Sequence, residues 1–319
     1  MLYLTYNINW LPDGMGAQYQ RIIGIIGIAN YYNYIYVHNP IIKMAHLDTD
    51  DYLVNIENYF QIMNNYSNVN SIVYDNIYEE NSPAVDTLIN YDSKNKDKKI
   101  LIKICFPYSI CDANPIIYEK VMPRLRSLII DKNLPFYNND KTIKIAIHVR
   151  RGDVKLNVNG DRYTSINDII KIIKFLRNKY TNCTFYIFTQ IDETNKNEFD
   201  IFNNDNTVKI KANEDQLLTM KHLINADILV MCKSSFSYIA GCYNKNIVYY
   251  ESFWHNPLSN WINIQNLYNN IEDNLVNKDN LQEMNNIEKF DSTMNNNSKN
   301  YILFYIVIII IIYIILKLS

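Results

Sequence analysis

Glycine is scarce, with only 7 in 319 residues, and four of those 7 fall between Gly14 and Gly27. A chain this poor in glycine needs a reason for each one. The dinucleotide spacing GxGxxG is missing, because Tyr19 stands where the third glycine would be, so a hydride-transferring Rossmann enzyme is disfavoured. A surplus of positive charge is missing too. The net charge of -2 argues against a general nucleic-acid binder and makes any anion site a local one. Cys105, Cys111, Cys183, Cys232 and Cys242 form no CxxC pair, which excludes a zinc ribbon or disulfide framework and predicts reduced, buried thiols. His38, His46, His222 and His255 show no ligand spacing, so no metal site is expected. Asp48-Thr49-Asp50-Asp51 has the letters of a DxD motif but sits in an Asp/Asn-rich loop and reads as surface. A signal peptide is not expected either: Met1 to Ile8 has no basic start and reads as a strand.

What is present is a core. Hydrophobic residues make up 48%, and 319 residues suffice for two domains. The pattern alternates strand and helix. Strands are expected at Tyr3 to Tyr6, Tyr34 to Val37, Lys99 to Ile104, Ile143 to Val149, Thr184 to Thr189, Thr207 to Lys211, Ile228 to Cys232 and Ile247 to Tyr250. Helices are expected at Gln18 to Tyr31, Pro115 to Ile130, Ile166 to Asn178, Asp215 to Asn225 and Phe236 to Tyr243. This is an α/β chain with two Rossmann-like domains, 1-140 and 141-270, facing a cleft. A polar, Asn-rich linker follows at 271-300, and then the apolar run Tyr301 to Leu316. That run would span roughly 24 Å as a helix, a little short of a ~30 Å hydrocarbon core. Lys299 and Lys317 could snorkel to cover the difference, so residues 301-317 are expected to form a single-pass C-terminal anchor in an intracellular membrane.

Three stretches could carry chemistry. Gly14-Met15-Gly16 lies between a strand and a helix, where a glycine loop brings backbone amides to a ligand or simply makes a turn capped by Asp13. In IHVRRGD, Ile147 to Asp153, alternation sends His148 and Arg150 to one face and Val149 and Arg151 to the other. Asp153 can pair with one arginine, leaving the other for a phosphate, which a guanidinium grips with two parallel hydrogen bonds. The alternatives are that internal carboxylates satisfy both, or that Arg151-Gly152-Asp153 is an exposed adhesion loop. In ADILVMCKSSFSYIAG, Ala226 to Gly241, an apolar run ends at Lys233-Ser234-Ser235 and a helix begins at once. Either serine would cap that helix, and the start forms an anion nest or a cap and nothing more. Two anion-compatible strand ends in one half fit a diphosphate.

Taken together, the three motifs resemble those of the fucosyltransferase superfamily that carries HxRRxD. They are most similar to the α1,2-fucosyltransferase group, in the expected order from Leu4 to about Glu251. The resemblance implies a GT-B architecture and an inverting, metal-independent transfer of fucose from GDP-fucose to a glycan hydroxyl, with no cofactor and no nucleic acid. It implies that Arg150 grips the β-phosphate with Arg151 beside it and His148 near the nucleotide. Ser234, Ser235 and Phe236 would line the phosphate and sugar pocket, and Asp227 would help fix the nucleotide. Gly14, Gly16 and Gln18 would lie across the cleft. Asp13 and Asp153 are the candidate bases, and Asp161 is a weaker one. Ala17 departs from the family's usual Asn, which bears on the acceptor side.

Overall fold

The computed structural model describes residues 1–9, 13–45, 50–129 and 133–264. The linker and the apolar run expected to form the membrane anchor lie outside the described residues, as do His46, Asp48 and Thr49. Among the described residues, no helix is long and apolar enough to cross a membrane.

In chain order the elements are β1 Leu2–Tyr6, α1 Met15–Tyr32, β2 Ile35–Tyr36, α2 Asp50–Phe60, the short α3 Ile62–Asn65, β3 Asn76–Glu80, α4 Val85–Lys94 and β4 Ile100–Ile104. The one-turn α5 Tyr108–Cys111 and α6 Ile116–Leu128 then lead to β5 Ile143–Val149, α7 Ile166–Lys179, β6 Cys183–Thr189 and β7 Val208–Ala212. Last come α8 Gln216–Asn225, β8 Ile228–Val230, α9 Ser235–Tyr243, β9 Ile247–Tyr250 and β10 Ile262–Asn263.

The strands form two all-parallel sheets, one per half of the chain, in the orders β2-β1-β4-β3 and β10-β9-β8-β5-β6-β7. Parallel strands covered on both faces read as unbroken apolar runs, and β1 and β6 are buried along their whole length. In the larger sheet the order turns back between β5 and β8. At such a switch point the connections leave in opposite directions and a crevice opens above the strands' C-terminal ends.

Helix α1 joins the halves. It is buried on nearly every side, which is why its apolar residues show no single stripe. It packs on β1 and on α6 and α9, so one apolar cluster runs from Leu4 and Ile22 through Tyr118 to Tyr238 and Ala240. The start of α1 meets the start of α9 so closely that a Cβ on Gly16 would lie 2.3 Å from Phe236 N. Met1–Gln265 is accordingly one compact unit. All five cysteines are free and buried, as their spacing implied.

Candidate functional site

A cavity of about 710 Å³ opens above the switch point. The C-terminal half lines it with the end of β5 (His148 to Asp153), the start of α9 (Ser234 to Phe236), Arg162, Glu214, Trp254 and His255. From the N-terminal half come Asp13 to Ala17, Arg21 and Tyr108. Both α1 and α9 begin at this cavity, so two positive helix ends face it.

The two arginines that end β5 part company, as alternation requires. Arg151 is 2% exposed. Its Nε and Nη2 donate to Glu198 at 2.8 and 2.5 Å, Nη1 donates to Arg150 O, and Nη2 reaches Thr164 O. Tyr163 lies under the guanidinium at 4.0 Å. These bonds occupy four of its five N–H groups, which commits this arginine to holding the loop although it borders the cavity. Arg150 is the one directed to the ligand space. Asp153 accepts from its Nε at 3.0 Å and its Nη2 at 2.6 Å, and Ser234 Oγ accepts from Nη1 at 3.3 Å. A guanidinium has five N–H groups, and these bonds use three of them. Burial opposes the charge on Asp153, but the Arg150 hydrogen bonds outweigh it and hold the carboxyl below its ordinary range.

Gly152 explains how Asp153 gets there. Its φ of +78° is one that side-chain-bearing residues rarely adopt, and a Cβ would strike Gln190 Oε1 at 2.4 Å. The turn folds Asp153 back onto Arg150. Arg151-Gly152-Asp153 is therefore not an exposed adhesion loop: its first residue is buried and its last is ion-paired.

Arg162 is the cation that sequence reasoning missed. It lies in a 3₁₀ turn, Gly160–Arg162, whose polar sequence carries no motif. Its guanidinium stacks on Trp254 at 5.0 Å, and its Nε is buried with no hydrogen-bond partner. Burial first, and then the neighbouring charge of Arg150, lower its pKa. Among the described residues no carboxylate lies within ion-pair distance of it.

His148 presses on Phe236 at 5.3 Å and meets Cys232 Sγ through Nδ1 at 3.1 Å. Burial and the charge of Arg150 bring its pKa down to about 3, and burial with the charge of Glu251 pushes Cys232 up to about 12. The pair is a neutral imidazole beside a neutral thiol. Ser237 has committed its own proton to the carbonyls of Cys232 and Ser234. With Nδ1 engaged by Cys232, Nε2 is the ring nitrogen left for another partner.

The start of α9 is only partly available. Ser234 caps it by accepting from Phe236 N, and Gly16 covers that same amide. Ser234 is buried but borders the cavity with Ser235 and Phe236. Gly16 thus serves the close approach of two helices, whereas Gly14 has open space around it.

Two residues named from the sequence are placed elsewhere. Gln18 is buried beneath the loop, its side-chain amide donating to the carbonyls of Asp13 and Lys43. Asp227 precedes β8 and so lies at the N-terminal end of the sheet, where it accepts from Lys144 N at 2.8 Å. A residue entering a parallel strand cannot reach the crevice at the strand's exit. Of the candidate bases, Asp13 is bound to Arg21 at 2.6 Å and Asp153 to Arg150. Asp161 does not line the cavity.

No family model and no curated protein matches the chain. Among solved structures, POFUT1 in complex with GDP-fucose aligns with a TM-score of 0.52 at 10% identity, over 76% of this chain and 94% of that one. The fucosyltransferase NodZ from Bradyrhizobium aligns at 0.40 and 10% identity, over 75% of this chain and 91% of that one. The first likeness shows a shared GT-B-like α/β fold with parallel sheets.

Proposed function

We propose that the chain transfers fucose from GDP-fucose to a glycan hydroxyl, by an inverting and metal-independent displacement of the α1,2-fucosyltransferase type. The observation that carries this reading is Arg162, a guanidinium with a buried, unpartnered Nε–H, set in the same cavity as Arg150. Asp153 pairs with Arg150, but the two guanidiniums repel each other and keep a net positive charge until a further anion joins them. A diphosphate supplies that anion. The start of α9 adds donors that phosphate oxygens can accept from.

As the bond from the sugar C1 to the β-phosphate oxygen breaks, its electron pair leaves with GDP. The guanidiniums of Arg150 and Arg162 neutralise the charge that grows there, work that a divalent cation does in other transferases. Glu214 suits a guanine base, which offers adjacent N–H donors to one carboxylate. The likeness to a GDP-fucose-bound structure supports the donor class through the fold alone. A tether through residues 301-317 belongs to the same proposal.

The test is calorimetric titration with GDP, GDP-fucose and GDP-mannose, with Arg162→Ala as the control. GDP should bind, and the variant should lose about 10- to 100-fold in affinity. Failure of GDP to bind, or equal binding by the variant, overturns the reading. Binding of GDP-mannose as tight as GDP-fucose, with turnover only of the former, would change the sugar and keep the site.

A further inference from the structure

We infer that His255, oriented by Asp112, is the general base that takes the proton from the attacking hydroxyl. The inference rests on the GDP-fucose reading above and adds the group that reading lacks, since Asp13 and Asp153 are each bound to an arginine.

His255 and Asp112 come from opposite halves of the chain. Asp112 follows α5 directly, and its two carboxylate oxygens lie 3.0 and 3.3 Å from His255 Nδ1. The segment holding His255 is pinned to both sides. Asn256 Nδ2 donates to Asp112 O at 2.6 Å, Tyr238 Oη donates to Asn256 O, and Tyr250 Oη donates to His255 O. The ring packs against Tyr108 at 4.6 Å and Phe253 at 5.3 Å, so it has little freedom to turn. His255 is 2% exposed, yet it lines the cavity. Its Nε2 has no protein partner among the described residues and is not one of the enclosed unpartnered atoms.

This arrangement has a chemical consequence. A carboxylate that accepts from Nδ1–H fixes the tautomer, leaving a lone pair on Nε2 aimed at whatever enters the cavity. His148 has no such carboxylate, its Nδ1 meeting the Cys232 thiol instead. In the step, the acceptor oxygen forms the bond to C1 as its proton passes to His255 Nε2. The C1–phosphate oxygen bond breaks, its electrons leave with GDP, and Asp112 stabilises the imidazolium.

The titratable groups facing His255 are Asp112 and Tyr108 from the α5 segment, Tyr238 from α9 and Tyr250 from β9. Arg21 lies beyond Tyr108, and Arg162 beyond Trp254. Burial, outweighing the influence of Arg21, pushes Tyr108 up to about 12, and burial raises Tyr238 as well, so both stay neutral.

The experiment measures turnover of GDP-fucose by the full chain, with water and with lactose as acceptors, from pH 5 to 9. His255→Gln should lower kcat by about 100-fold or more and abolish the acid limb of the profile, while GDP affinity stays within about threefold. Asp112→Asn, close in shape, should lower kcat by about tenfold or more and leave affinity unchanged. Turnover by His255→Gln within threefold of the parent, with its acid limb intact, overturns the inference and leaves the donor site standing. GDP-fucose that binds the parent without turning over also overturns it. Absence of GDP binding to the parent removes the donor reading and this one together.

Discussion

On the N-terminal side of the cavity the charges of Asp13 and Arg21 are spent on each other, and Tyr6 and Tyr108 accept two further hydrogen bonds from the arginine. On the C-terminal side Arg150 is held by a half-exposed aspartate, and among the described residues no carboxylate comes within ion-pair distance of Arg162, although Asp153 and Asp161 are near enough to favour its charge. The larger sheet therefore carries an unfinished electrostatic arrangement and the smaller one a finished arrangement. An anion completes the first. The second offers polar groups without net charge, which suits an uncharged acceptor.

The comparison is sharpest within Arg150-Arg151, where neighbours in sequence serve opposite ends. Arg151→Met should cost about 3–5 kcal/mol in denaturant unfolding, because Glu198 is left as an uncompensated, mostly buried carboxylate. Arg150→Ala should cost much less, since Asp153 can turn to water. It should instead raise the Kd for GDP about 100-fold. If the two variants lost stability equally, or if Arg151→Met weakened GDP binding more than it destabilised the fold, the division of labour would be wrong.

The junction between the two halves is the next place to strike. Gly16→Ala puts a methyl against the backbone of Phe236, which cannot step aside as a side chain would. The substitution should destabilise by about 1–3 kcal/mol. Gly14→Ala meets no neighbour but replaces the N-cap of α1, and should cost less, about 0.5 kcal/mol. Thermal unfolding of the pair separates a glycine kept for helix contact from one kept for the cavity.

A smaller effect tests the polarity of the C-terminal side. His148 is neutral in the folded chain, its pKa lowered from 6.5 to about 3, while the unfolded chain takes up a proton below 6.5. Folding is thus opposed progressively as pH falls through that window, by about 2 kcal/mol at pH 5. His148→Gln should flatten the stability profile between pH 6.5 and 5 relative to the parent. Parallel profiles would mean that the imidazole is charged in the folded state.

Much of this site could be read from the chain, for identifiable reasons. Strands β5 and β6 and helix α7 have unmistakable apolar periods, and they fall within a residue of where the sequence puts them. Strand β3 and helix α4 went unread. The first is an edge strand with no buried residue and the second buries only Leu88, so neither writes a period into the sequence. The opposed directions of Arg150 and Arg151 followed from strand alternation. Which carboxylate each would find did not, because Glu198 is 47 residues from Arg151 and only the fold joins them. Arg162 and His255 were invisible for the same reason: one sits in a polar turn, and the other meets its aspartate from 143 residues away.

The smallest expected effect bears on where resemblance and topology disagree. Asp227 belongs to a motif whose later serines reach the cavity, and the motif alone suggests a role with the nucleotide. The parallel sheet says otherwise, since a residue that enters β8 is separated from the crevice by the length of the strand. Asp227 instead accepts from Lys144 N and lies 3.6 Å from Lys144 Nζ, with its side chain 47% exposed. Asp227→Asn should therefore cost less than about 1 kcal/mol, as a half-exposed pair contributes little. The Kd for GDP should stay within about twofold. A tenfold loss of GDP affinity at unchanged stability would return Asp227 to the nucleotide, and the ends of the sheet would then no longer divide binding from scaffold.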